Sequence, residues 1–364
     1  MFLLGGVFIA SVVFAQQRTA AVDQQKMQEV YEAVKTPFKY GLVLVPESRD
    51  QMIDCPTVFR KGNLWYMNYL RFDGRGYETW LAKSEDLLHW KEMGRLMSHS
   101  ADTTAWDASQ KAGYMALVDT KWGGGNSLIK YRGKYWMSYF GGRERGYEAG
   151  RLSLGMAFTK LNPATVHEWE RLQRPIFTSL DSDVRWWENK KQFKSTVIYD
   201  KGKTTGYPFV MYYNANGDTA KDNKKTRWFE RIGMAVSNDM VHWTRFQSEP
   251  VVHHPAGITG DPAIQRIGNV WVMFYFGAFW QDRKGSFNRF ACSYDLVHWT
   301  DWNGDNLIES SEPYDELYAH KSSVIKFNGV VYHFYCAVNK KGQRGIAVAT
   351  SKDRGKSELN FISE

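Results

Sequence analysis

Beyond residue 36 the chain alternates apolar and polar side chains with a period of two, in short runs separated by glycine-containing turns. Five runs are strongly aromatic: LWYMNYL from Leu64, YWMSYF from Tyr135, PFVMYYNA from Pro208, VWVMFYFGA from Val270 and VYHFYCAV from Val331. Each follows a second β-type run that ends in a Gly turn: PTVFRKGN, NSLIKYRGK, STVIYDKGK, PAIQRIGN and SSVIKFNG. The pattern predicts strand, tight turn and strand each time. Long amphipathic helical patterns are absent after residue 36. Residues 20–36, AAVDQQKMQEVYEAVKT, read instead as a helix that stops before Pro37.

A second repeat counts the units. Ser-x-Asp-x-x-His-Trp occurs as SEDLLHW (Ser84–Trp90), SNDMVHW (Ser237–Trp243) and SYDLVHW (Ser293–Trp299), with degenerate copies SLGMAFTK at 153–160 and GIAVATSKD at 345–353. Five units of strand, turn, strand, loop, strand and motif predict an all-β, five-bladed β-propeller with a short N-terminal helical segment. The blades are expected near 52–95, 123–178, 192–250, 258–310 and 318–352, with a strand at 38–45 closing the ring beside the last. A catalytic group would not recur in every blade. The motif is therefore expected to be structural, its Ser and Asp closing a turn and its Trp packing between blades.

Composition adds a compartment and a substrate class. Residues 2–15, FLLGGVFIASVVFA, are too short to span a bilayer and end in small residues. We expect a leader at 1–15, a helical segment at 16–36 and a propeller at 37–364, with export to the periplasm or medium and no membrane association. The three cysteines, Cys55, Cys292 and Cys336, are too few and too scattered for a disulfide framework and are expected as buried thiols. A formal charge of +8 is mild for 364 residues and leans weakly toward acidic glycans. No basic helix, zinc-ligand spacing or RNP-like strand is present, which speaks against nucleic acid. Fifteen Trp are available to fill a core or to stack on sugar rings.

In a propeller the innermost strands start near one end of the axis, so residues just ahead of them converge. Aligned on the turn Gly, the blades offer Asp54, Asn126, Lys194-Ser195 with Glu188 upstream, Asp261, and His320-Lys321. A core that only packed would not aim charges at its own axis. Trp106, Trp122, Trp187 and Trp280 fall in connections where sugar platforms form, and Arg143 is placed to hold a carboxylate or sulfate. With Asn126 and Lys321 these make up the expected substrate-binding set.

Five blades, Asp-Pro at an inner strand and the Ser-x-Asp-x-x-x-Trp tail resemble the propeller glycosidases of glycoside hydrolase families 32, 43, 62, 68 and 117, over essentially the whole mature chain. The order Asp54, Asp261, His320 is most similar to family 117. That resemblance implies an Asp54 base, a His320 acid oriented by Asp261, and a homodimer through the N-terminal helix. Glu188 is the rival acid. A hydrogen-bonded His320, or one binding Ca²⁺ or another divalent ion in the central channel, is the alternative to the acid role; no cofactor is otherwise implied. The expected activity is exo-acting hydrolysis of plant or algal oligosaccharides or polysaccharides with inversion. A non-catalytic glycan-binding propeller and a glycoside phosphorylase are the competing readings. Sialidase is disfavoured because the repeat lacks the Gly and Thr of the Asp box.

Overall fold

The computed structural model describes residues 21–218, 229–281, 283 and 285–363, so the expected leader at 1–15 lies outside the described residues. Helix α1 (Gln24–Val34) starts at Asp23, whose side chain caps the Lys26 N–H, and buries Met27, Val30 and Val34. The first strand in the chain, β1 (Phe38–Leu44), belongs to the last blade. Blade one is β2 (Met52–Lys61), β3 (Leu64–Phe72), β4 (Tyr77–Ser84) and β5 (Lys91–Met97). Blade two is β6 (Gln110–Met115), β7 (Tyr135–Gly142), β8 (Ser153–Thr159) and β9 (Glu170–Arg171). Blade three is β10 (Lys191–Tyr199), β11 (Phe209–Asn216), β12 (Arg231–Ser237) and β13 (Trp243–Arg245). Blade four is β14 (Ile258–Ile267), β15 (Val270–Ala278), β16 (Ser286–Ser293) and β17 (Thr300–Asp301), with β18 (Ile308–Glu309) on β16. Blade five is β19 (Tyr318–Phe327), β20 (Val330–Val338) and β21 (Arg344–Thr350), completed by β1.

The protein is thus the five-bladed propeller that the repeat predicts. Closure by β1 ties the two ends of the ring together and leaves β21 no bare edge. The chain after Thr350 runs back over β1, where Ser357 N–H donates to the Tyr40 carbonyl at 2.7 Å. Gly41, at φ 125°, allows that approach: a Cβ there would sit 3.0 Å from the Ser357 Cβ.

The heptad is structural. In all three copies the Ser hydroxyl accepts backbone N–H bonds and the Asp accepts two more, at 2.8–2.9 Å. The Asp also holds the motif His Nδ1 at 2.7 Å. The turn throws Leu87, Met240 and Leu296 into positive φ, fully buried, and the Trp indole N–H closes on their carbonyls. Trp90 meets Phe334 of blade five and Trp299 meets Tyr212 of blade three, which joins neighbouring blades.

One blade departs from the expected alignment. The inner strand of blade two is β6 rather than the run beginning at Asn126. Residues 118–134 form an irregular connection at the opposite end of the axis, where Asn126 O accepts the Arg60 N–H at 2.8 Å and the Trp122 N–H reaches the Arg266 carbonyl at 3.0 Å. Gln110–Met115 lacks the Gly turn that marks the other four inner strands, so the repeat does not betray it.

Candidate active site

Four of the five inner strands carry a register shift near their starts, at Asp54/Thr57, Gln192/Ser195, Gly260/Ala263 and His320/Ser323. A bulge re-aims the side chains around it. Three of these put a non-glycine residue in the left-handed region: Cys55 (φ 49°), Asp261 (φ 56°) and Lys321 (φ 64°). All three line a pocket of about 430 Å³ at the mouth of the axis. Below it the channel narrows to about 60 Å³, with Lys194 lining both spaces.

Asp54 lies beneath this pocket with no exposure. Its Oδ2 accepts from Lys321 Nζ at 2.8 Å, Arg344 Nη1 at 2.6 Å and Tyr77 Oη at 3.0 Å, while Oδ1 accepts the Cys55 N–H at 2.9 Å. Burial alone would raise its pKa; Lys321 and Arg344 outweigh that and hold the carboxyl well below its usual range. Asp54 is ionised but spoken for. Asp261 does line the pocket, with the Cys55 thiol 3.5 Å away, and burial pushes its pKa up.

His320 lines the pocket too, but burial and then the Lys321 cation drive its pKa down to about 3. The Asp54 charge does not offset them. A neutral ring whose Nδ1 is 3.2 Å from the Cys336 carbonyl is not the protonated acid that the resemblance implies.

Glu188 is not at the axis. It is fully buried in blade three, accepting from Arg245 Nε at 2.5 Å and Tyr213 Oη at 2.7 Å. Trp187 beside it is core, 1% exposed. Trp280 is buried, donating to the Ile258 carbonyl at 2.7 Å, and Trp122 packs on Phe274. Trp106 stacks on Tyr139, and exposed Arg143 is bound to the Thr104 carbonyl. Of the expected site residues, the structure brings Asp261, His320 and Lys321 to the pocket, sets Asp54 under it, and places the other seven elsewhere. A divalent ion in the channel is a poor fit to its donors, since Lys194 and Lys321 already put two cations at its neck. Among the described residues the one metal-compatible cluster is Asp73, Glu78 and His99 in blade one, where Arg95 already pairs with Glu78 at 3.3 Å.

Two pocket carboxylates escaped the sequence reading. Glu148 comes from the loop between β7 and β8, at φ 47°, and Glu230 immediately precedes β12. Tyr147 pins the first loop across the mouth, its hydroxyl accepting from Arg344 at 2.9 Å and its ring packing against Phe72 and Tyr77. Glu230 accepts from Asn214 Nδ2 at 2.6 Å. Burial raises both acids. For Glu230 the charges of Glu148 and Asp261 add to it, and the pKa reaches about 8. One glutamate is therefore protonated at neutral pH inside a pocket that holds a second, which is the division of labour that glycoside cleavage needs.

A propeller pocket that narrows at its base and holds paired carboxylates defines a glycan-active enzyme, and comparison with known proteins agrees. No protein-family model matches the sequence. A solved structure described as a glycoside hydrolase superposes with a TM-score of 0.89 at 50% identity, covering 94% of this chain and 99% of that one. Another, a complex of BT0996 with RGII, gives 0.90 at 51% identity, with the same coverage. The chain belongs to the glycoside hydrolases, in their five-bladed β-propeller class. A family 117 enzyme from Zobellia galactanivorans shares the fold alone, at 15% identity, TM-score 0.61, and 88% and 91% coverage. A curated β-1,2-mannobiose phosphorylase from Thermoanaerobacter sp. (strain X514) is 32% identical over 99 residues, 25% of this chain; the match spans about a third (31%) of that enzyme's length.

Proposed function

We propose that this hydrolase is exo-acting, with Glu230 as general acid and Glu148 as base, and that it removes a terminal sugar from a plant or algal oligosaccharide. The observation that carries the assignment is Glu230, held protonated to about pH 8 in the same pocket as Glu148. Glu230 gives its proton to the glycosidic oxygen as the bond to the anomeric carbon breaks. Glu148 takes a proton from the water whose oxygen bonds to that carbon. Exchange with solvent then resets both groups. The Lys321 and Arg344 cations beside Glu148 oppose its burial and keep its anion accessible. Neutral His320, with its proton on Nδ1 toward Cys336, offers Nε2 as an acceptor for a sugar hydroxyl. The narrowing below Lys194 favours a substrate terminus over an internal segment.

The relative at 51% identity supports an RGII-derived oligosaccharide as the first substrate to try. The test is release of a monosaccharide from it, followed by chromatography, with Glu230→Gln and Glu148→Gln as controls. Loss of release in both variants is the expected result. Full activity in either one refutes the pair. Turnover that requires inorganic phosphate and yields a sugar 1-phosphate would instead favour the phosphorylase reading that the 99-residue match raises. Export through the leader at 1–15 completes the proposal, and amino-terminal sequencing of the mature protein tests it.

A further inference from the structure

The pocket mouth carries an aromatic residue that nothing in the catalytic scheme uses. Phe279 lines the pocket, is 40% exposed, and directly follows β15. Its backbone φ is 58°, a region that bulky side chains rarely occupy. Such strain persists only where the surroundings impose it, and here they can be named. The next residue, Trp280, is buried and locked, its ring stacked on His254 at 3.9 Å and its N–H on the Ile258 carbonyl. Gly257 lets the turn close: a Cβ there would lie 2.4 Å from the Ala278 carbonyl oxygen and 2.6 Å from that of Phe279. With Trp280 anchored inward, the turn holds Phe279 outward. Tyr318, also lining the pocket, braces it edge-on at 6.2 Å.

We infer that Phe279, braced by Tyr318, is the platform for the leaving portion of the substrate, stacking on the apolar face of the sugar next to the scissile bond. Holding a ring of this size in water brings no benefit to the fold, whereas a pyranose or furanose face laid on it removes apolar surface from both. The leaving group is then a sugar with an apolar face, not a small alcohol. This inference rests on the exo-glycosidase reading above.

The test compares two leaving groups with one variant. Phe279→Asn removes the ring and suits positive φ, so its melting temperature should equal or exceed that of the wild type. The substrates are the RGII-derived oligosaccharide and the glycosyl fluoride of the monosaccharide released from it. The fluoride has no leaving sugar to stack. We expect kcat/KM on the oligosaccharide to fall by at least about tenfold, mostly through KM, and to be unchanged on the fluoride. Phe279→Trp should restore the oligosaccharide rate. An equal loss on both substrates, or no loss on either, overturns the platform while leaving the glycosidase reading intact. A wild-type enzyme that cleaves neither substrate overturns both.

Discussion

Replacing Glu230 by Gln should do two opposite things: destroy the acid and stabilise the protein. In the fold the Glu230 carboxyl titrates at about 8, against an ordinary value of 4.5. The native state therefore binds its proton more tightly than the unfolded chain does. Between those two values the wild type loses stability as pH rises, because the unfolded carboxyl ionises freely and the folded one resists. At 1.36 kcal/mol per pH unit the full gap corresponds to an upper bound of about 4–5 kcal/mol. The side chain is only partly buried and is bonded to Asn214, so solvent screening brings the expected gain to about 1–3 kcal/mol. Glutamine keeps the shape and cannot ionise. Its advantage should be near zero at pH 4, grow through neutrality and level off above pH 8. Thermal unfolding at pH 4, 7 and 9 reads this directly, as a rise in melting temperature of a few degrees at the alkaline end alone. Turnover of natural glycans should fall about 10²–10⁴-fold, with a smaller loss on substrates whose leaving group needs no proton. A stability gain that is the same at every pH would show that Glu230 is not held protonated, and the acid assignment would fail with it.

Three further outcomes follow from the same site. The wild-type pH profile of kcat/KM should fall on its alkaline side near pH 8, as Glu230 loses its proton, and rise on its acid side above the ordinary glutamate value, as Glu148 loses its own; initial rates from pH 4 to 10 check both limbs. Asp54→Asn should cost about 3–5 kcal/mol by leaving Lys321 and Arg344 buried without their anion, read as a lowered denaturation midpoint; this reverses the expectation from sequence that the substitution would spare stability. Because the Asp54 pKa is depressed, its contribution is complete at neutral pH and is lost as pH falls through the depressed value. Inversion, first argued from Asp54 and His320, passes to the Glu148–Glu230 pair: NMR should show the first-formed sugar with the opposite anomeric configuration, and a retained anomer or a glycosyl adduct on Glu148 would make that residue a nucleophile.

What the sequence disclosed and what it withheld have one physical cause. Fold-bearing positions repeat from blade to blade, since each blade must close the same turn and bury the same edge. Ser84, Asp86 and Trp90 have counterparts at 237, 239 and 243 and at 293, 295 and 299, and these sufficed to count the blades. Inner-strand starts repeat as well, so the axial location of Asp54, Asp261 and His320-Lys321 was legible from sequence. Their environment was not. Nothing in Ile-Asp-Cys-Pro reveals that Arg344, from blade five, and Lys321 converge on the Asp54 carboxylate, or that the same lysine drives His320 neutral. Blade two was misaligned because its inner strand lacks the Gly turn that marks the others.

Positions that chemistry needs once have no reason to repeat, and that is why the carboxylate pair stayed hidden. Glu148 lies in a loop with no equivalent in the other blades, and Glu230 sits one residue ahead of a strand whose repeat begins after it. The same logic explains the aromatic residues. Size alone makes Trp the expected stacking side chain, yet Trp187 and Trp280 are 1% and 7% exposed; the ring presented at the mouth is the neighbouring Phe279. Trp is large enough that a propeller uses it mainly to fill the space between blades, as Trp90 and Trp299 do. A side chain that must meet substrate is better recognised by the strain that keeps it out of the core. Cys55, Glu148, Asp261, Phe279 and Lys321 all have positive φ, and all five line the same pocket. In this protein, backbone strain at non-glycine residues marks the functional surface more faithfully than residue type does.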